Sequence, residues 1–173
     1  MLLQKSKMNL LKLKVFFLST LLQLCALTTT AQESPFDTMV NALISENVPV
    51  LSVEELQTKR NIILLDTRTK AEYDVSHIDN AIWVGEKDWD LKSFEKFNKE
   101  QTVVVYCSIG YRSEKLVKKL LRLDFEKIFN LYGGVFDWVN KGYPVENNRG
   151  LTDSIHGYDK SFARWIDKGV VIF

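Results

Sequence analysis

Cysteine is almost missing from this chain: its 173 residues include two, Cys25 and Cys107. Histidine is equally scarce. His77 and His156 stand far apart, so no Cys/His spacing of a metal site exists. Three prolines and eight glycines are too few for a collagenous segment or a low-complexity linker. Neither sign of charge dominates: 23 basic residues face 22 acidic ones, a net charge of +1. That balance excludes bulk electrostatic capture of nucleic acid or of an anionic membrane. No apolar run approaches the roughly 20 residues that cross a bilayer as a helix. What is present, 46% hydrophobic and 26% charged residues, suits a folded domain rather than a disordered chain. The length allows one compact domain and not comfortably two.

The first 31 residues read as a separate unit. Lys5, Lys7, Lys12 and Lys14 form a basic stretch without an acidic residue. An apolar run from Val15 to Leu27 follows, and Thr29, Thr30 and Ala31 supply small residues. This is the layout of a secretory signal peptide cleaved after Ala31, with an uncleaved membrane anchor as the competing reading. A lipoprotein reading would use Cys25, but Leu24 stands where a small residue is wanted. The expectation is an exported protein, periplasmic or secreted, with no stable membrane insertion once the signal is removed. Cleavage removes four lysines and no acid, which turns the net charge to −3. It also leaves Cys107 as the single cysteine, so no internal disulfide can form and the thiol is either inert in the core or chemically employed.

Beyond Ala31 the apolar pattern alternates between short runs and amphipathic stripes. Residues 32–48 read as a polar lead and a short helix carrying Phe36, Met39, Val40, Leu43 and Ile44. Ser52 before Glu54 and Glu55 opens a helix to about Lys59. Ile62–Leu65, Ala81–Val84, Thr102–Tyr106 and Ile128–Leu131 read as strands covered on both faces. Residues 88–98 and 112–123 read as helices, and Gly133–Gly134 opens another that Gly142 and Pro144 end. Strands alternating with helices predict an α/β domain with a mainly parallel sheet. After Glu146 a polar turn leads to a helix near 159–168 and to the apolar end Val170–Phe173, which is expected to dock on the domain.

The chemistry-bearing stretch is Cys107-Ser108-Ile109-Gly110-Tyr111-Arg112-Ser113, between the clearest strand and the clearest amphipathic helix. In an open α/β sheet that junction lies at the carboxyl ends of the strands, where ligands bind. A loop entering a helix there presents backbone N–H groups and the positive end of the helix dipole. Gly110 permits a tight turn and Arg112 adds a permanent cation. Each feature favours an anion at the centre, and Cys107 is the side chain placed to become one; as a thiolate it is a nucleophile. The competing reading is a cysteine that packs as a small hydrophobe at a strand end.

At this point the sequence resembles the rhodanese family over most of residues 49–146. The loop from Cys107 to Ser113 is similar to the family's active-site loop, with four residues between cysteine and arginine. Leu65-Asp66-Thr67-Arg68, Glu72-Tyr73, His77-Ile78 and Ala81-Ile82 resemble its amino-terminal motif. Gly133-Gly134, Trp138 and Gly142-Tyr143-Pro144-Val145 resemble its carboxy-terminal one. The resemblance implies a single rhodanese domain, a five-stranded mainly parallel sheet flanked by helices on both faces. It also implies sulfur transfer: Cys107 takes sulfane sulfur from a small donor as a persulfide and passes it to a thiophilic acceptor, a small molecule or a protein. Residues 108–113 would hold the sulfur, with neither metal nor organic cofactor. Phosphatase relatives have a loop one residue longer. Two departures stand out: Ser76, Asp79 and Asn80 replace the usual turn residues around His77, and Ser108, Ile109 and Tyr111 supply none of the extra cations of thiosulfate-using members.

Around this loop the reading of other residues divides. Arg68 attracts an anionic donor or orients loops together with Asp66, which is read as structural support. His77 is a base to Cys107 or, as favoured, a structural residue. Residues 147–173 form a tail docked on the domain. Beside the sulfurtransferase stand three other functions: a non-catalytic binding module for an anion or protein, a cysteine phosphatase, which the short loop disfavours, and a thiol redox protein, which lacks a resolving cysteine.

Overall fold

The short apolar runs become neighbours in one sheet. The structure is a computed structural model that describes residues 33–45 and 47–173; the signal-peptide reading and Cys25 lie outside them. Strands β1 (Val50–Leu51), β2 (Ile63–Asp66), β3 (Ile82–Trp83), β4 (Val103–Tyr106) and β5 (Ile128–Leu131) form a five-stranded sheet in the order β1-β5-β4-β2-β3. Every neighbouring pair is parallel. This is the α/β class expected, with five strands as the resemblance implied.

Alternation along the central strands shows why their sequences are apolar throughout. Val103 and Val105 of β4 face one core with Ile63 and Leu65 of β2, while Val104 and Tyr106 face the other with Leu64. The first core is closed by helix α4 (Tyr111–Leu121) through Leu116, Val117 and Leu120. The second is closed by α2 (Val53–Thr58) and by α5 (Gly134–Asn140), through Leu56, Val135 and Phe136. Helix α1 (Pro35–Leu43) precedes β1, and α3 (Lys70–Val75) connects β2 to β3.

Local chemistry sets the helix starts. Ser34 caps α1 by accepting the Asp37 N–H, with proline in the first turn. Ser52 with Glu55, and Thr69 with Glu72, form reciprocal capping boxes at α2 and α3.

Three expectations need correction. Residues 88–98 hold only a 3₁₀ turn at Leu91–Phe94; Phe94 is buried there, and its stripe is too short to close a full helix on the core. The run 81–84 narrows to β3 at the sheet edge, where Ile82 and Trp83 are exposed rather than covered on both faces. The chain end pairs instead of simply docking. After β6 (Val145–Asn147) and β7 (Gly150–Thr152), β8 (Ser154–His156) pairs in parallel with β9 (Val170–Ile172), and the expected helix shrinks to α6 (Lys160–Ala163). Ile155 is fully buried, and Phe162, Trp165, Ile166 and Val171 pack on the second core, but Val170, Ile172 and Phe173 stay exposed. No helix among the described residues is long and apolar enough to cross a membrane.

Connections out of β2 and β4 run in opposite directions, β2 toward β3 and β4 toward β5. The gap between the carboxyl ends of these two adjacent strands is the topological switch point, where open α/β sheets bind ligands.

Candidate active site

The loop after β4 begins at that switch point. Gly110, at φ +103°, is the N-cap of α4 and offers no capping side chain. The Cys107 Sγ instead accepts the Gly110 N–H at 3.2 Å. Behind the turn, the Gly110 carbonyl accepts the Asn130 amide at 2.9 Å and the Glu114 N–H at 3.2 Å. The Ser113 hydroxyl lies 2.7 Å from Asn130 Oδ1 and 3.1 Å from the same carbonyl, and its single proton serves one of them at a time. Asn130 and Ser113 are both fully buried, so β5 fixes the loop from below.

Helix α5 holds the loop's other side. Val135 N–H donates to the Cys107 carbonyl at 2.9 Å and Phe136 N–H to the Ser108 carbonyl at 3.0 Å. In a trans peptide the carbonyl and the following N–H point opposite ways, so the Ser108 and Ile109 amides face away from α5. The first amides of α4 (Tyr111, Arg112, Ser113) have no partner within their own helix. Close approach is what requires Gly134: a Cβ there would sit 2.3 Å from the Cys107 carbonyl oxygen.

Arg112 does not point bare at the sulfur. It makes a bidentate bond to Glu72, Nη1 to Oε2 at 2.8 Å and Nη2 to Oε1 at 2.5 Å, and reaches Glu86 at 3.3 Å. Ser108 Oγ donates to Glu72 at 2.9 Å, and Thr69 donates to Glu72 from its N–H at 3.0 Å and its hydroxyl at 2.8 Å. Burial pushes the Glu72 carboxyl up, but the Arg112 and Thr69 bonds outweigh it and hold its pKa at about 2. Burial likewise works to lower the Arg112 pKa, and the bonds to Glu72 overcome it and raise it. Glu72 thus ties α3 to the loop across the switch point. The sequence reading quoted it only as part of a motif; the Thr69–Glu72 capping pattern was visible, but it signals a helix start and not a partner 40 residues on.

A pocket of about 210 Å³ opens over the loop, lined by Cys107, Ser108, Ile109, Tyr111 and Arg112 and closed by Leu43, Tyr158 and Phe162. Cys107 is the floor, 1% exposed.

A sequence model of the Rhodanese-like domain matches residues 50–141, more than half of the chain. The chain belongs to the Rhodanese-like domain family. It is 31% identical over 96 residues to a thiosulfate sulfurtransferase GlpE of Coxiella burnetii (strain RSA 331 / Henzerling II), covering 56% of this chain and 89% of that one. A tRNA uridine(34) hydroxylase of Wigglesworthia glossinidia brevipalpis is 29% identical over 97 residues, but they cover 51% of this chain and only 31% of that protein. The solution structure of the polysulfide-sulfur transferase homodimer from Wolinella succinogenes superposes with a TM-score of 0.52 at 26% identity, covering 65% of this chain and 88% of that one.

Within the rhodanese-like domain, the remaining candidates separate. Ser108, Ile109, Tyr111 and Arg112 line the pocket with Cys107. Gly110 contributes its N–H, and the Ser113 side chain is turned to Asn130 rather than to the pocket. Arg68 requires a correction. It is fully buried and does not line the pocket: its Nε and Nη2 clasp Asp66 at 2.7–3.1 Å, and Nη2 also donates to the Ser76 carbonyl at 2.6 Å. Full burial leaves it no path to a donor, so it locks the post-β2 loop with Asp66. His77 exchanges two backbone hydrogen bonds with Glu146 and stacks on Tyr73 at 3.9 Å. It does not line the pocket that contains Cys107. Asn130, Glu72, Glu86, Leu43, Tyr158 and Phe162 are the site residues that sequence reasoning did not single out for it.

Proposed function

We propose that the protein is a sulfurtransferase that carries sulfane sulfur as a persulfide on Cys107. The observation that carries this reading is the Gly110 N–H donated to the Cys107 sulfur at the head of α4, inside a loop whose carbonyls α5 has drawn away. Such an arrangement stabilises negative charge on sulfur by fixed dipoles that need no reorganisation. In the first half-reaction the Cys107 thiolate attacks the donor's outer sulfur. The bond joining that sulfur to the rest of the donor breaks, and its electron pair leaves with the donor. In the second, a thiophilic acceptor attacks the outer sulfur of the persulfide, the S–S bond breaks, and the Cys107 thiolate is restored. Sulfurtransferase-named relatives support the reaction class. We also propose an exported location, supported by the basic, apolar and small-residue order of residues 1–31.

Intact mass before and after thiosulfate, then after cyanide, tests the carrier. The expected result is a gain of one sulfur atom that cyanide removes and that Cys107→Ser, a nearly isosteric change, abolishes without loss of folding. Undiminished transfer by Cys107→Ser overturns the mechanism. A thiol that stays reactive yet takes no sulfur from thiosulfate, mercaptopyruvate, polysulfide or an organic thiosulfonate indicates a binding module instead.

A further inference from the structure

The roof of the pocket comes from the tail, outside the 50–141 family match. We propose that the donor is an organic sulfane-sulfur compound, a persulfide or thiosulfonate whose departing part is apolar, and that Tyr158 and Phe162 select it. This rests on the reading of Cys107 as a sulfur carrier and names the substrate class of that same site.

Three observations carry it. First, five of the eight residues around the pocket (Leu43, Ile109, Tyr111, Tyr158 and Phe162) present apolar or aromatic surface. Second, the polar groups at the pocket are already engaged. Ser108 donates to Glu72, and Arg112 stands against two carboxylates, Glu72 and Glu86. A dianion drawing Arg112 to itself would leave the buried Glu72 without its cation, which is costly. An apolar group makes no such demand. Third, the roof is held in place against a backbone preference. Tyr158 sits at φ +63°, in the left-handed region that bulky residues avoid. Strain of this kind persists where the surroundings over-determine it and collects at ligand clamps. Here the surroundings are the buried Ile155 in the middle of β8, the β8–β9 pairing, and the Tyr158 N–H donated to His156 Nδ1 at 3.0 Å. The strained turn lays the Tyr158 ring over the Arg112 guanidinium, 4.9 Å from centroid to Cζ, and edge-on to Phe162 at 5.5 Å.

In the step proposed, the Cys107 thiolate bonds to the outer sulfur. The bond from that sulfur to the departing sulfur breaks, and an organic thiolate or sulfinate leaves with the electron pair, its apolar group having been held under the roof. Neither an oxidant nor a reductant is required.

Three donors of the same chemistry isolate the departing group: inorganic thiosulfate, methanethiosulfonate and benzenethiosulfonate. Each is given to the full chain, and kcat/KM is read from sulfur transfer to cyanide. Benzenethiosulfonate is expected to exceed thiosulfate by roughly tenfold or more, the scale of discrimination an apolar pocket provides. Tyr158→Gly combined with Phe162→Ala should bring the benzenethiosulfonate-to-methanethiosulfonate ratio of kcat/KM to within about twofold of one, whatever the change in the rate common to both donors. Tyr158→Phe should keep the preference. Tyr158→Gly alone, which relieves the left-handed strain, serves if the double variant melts early. Thiosulfate equal to or better than the aromatic donor overturns the proposal, as does a preference untouched by these variants. If none of the three adds sulfur to Cys107 but mercaptopyruvate or polysulfide does, or if thiosulfate loads Cys107 without aromatic advantage, the selection alone fails; if no donor adds sulfur, the carrier reading fails with it.

Discussion

Two loops leave the sheet side by side, after β2 and after β4, and each carries an arginine clasped by a carboxylate. After β2, Arg68 and Asp66 are both fully buried, two residues apart; Nη2 also donates to the Ser76 carbonyl, and the buried Nη1 has no hydrogen-bond partner among the described residues. After β4, Arg112 is held by Glu72 of α3, keeps 13% of its side chain exposed and borders the pocket. An arginine–carboxylate pair therefore closes one loop upon itself and ties the other to α3. What separates them is burial and partner distance, not charge. A fully buried pair can only hold backbone in place. A pair at the mouth of a switch point also sets the field that an arriving donor meets.

Exchanging each arginine for alanine tests that contrast most forcefully. Arg68→Ala strands Asp66 in the core and is expected to destabilise the fold by about 3–5 kcal/mol in denaturant unfolding, with the transfer rate per folded molecule retained. Arg112→Ala should cost less stability, about 1–3 kcal/mol, because Glu72 keeps its Thr69 and Ser108 bonds, but it should lower kcat/KM for persulfide formation. Equal stability losses, or a rate loss confined to Arg68→Ala, would break the contrast.

Gly134→Ala sharpens it from the other side of the post-β4 loop. The added Cβ meets the Cys107 carbonyl and the φ of +55° disfavours it, so a loss of about 1–3 kcal/mol is expected. The loop carbonyls would shift with it, and the persulfide yield by intact mass should fall. An unchanged yield would show that the α5 contacts do not orient the loop.

A further expected effect is on pH dependence. Glu72 has a folded pKa of about 2 against an ordinary 4.5, so its contribution is fully present above 4.5 and is lost as pH falls toward 2. Denaturant midpoints of the parent should therefore drop through that window, and those of Glu72→Gln should drop less. Parallel curves would mean that the carboxylate is not what joins the two loops in acid.

Several parts of the molecule were legible in sequence because their signals are local. The β-branched run Thr102–Tyr106, the stripe Leu116–Val117–Leu120 and the Ser52 cap each declare themselves within a few residues. So does the placement of Cys107 between a strand and a helix. β1 was not legible, since two residues carry no period. Nor was the exposure of β3, because an apolar pair at a sheet edge reads like one at its centre.

The site divides along the same line. Chain connectivity alone puts one cysteine at the opening of a Gly- and Arg-bearing loop at the head of a helix, so that much is readable from the residues. Only the tertiary structure decided which arginine faces the pocket, that Glu72 and Glu86 neutralise it, that Asn130 fixes Gly110, and that Tyr158 and Phe162 close the roof. Those partners lie far apart in the chain, from 17 residues between Ser113 and Asn130 to more than 40 for the tail, and no periodicity links them. They meet because parallel strands bring distant chain segments to one edge of the sheet.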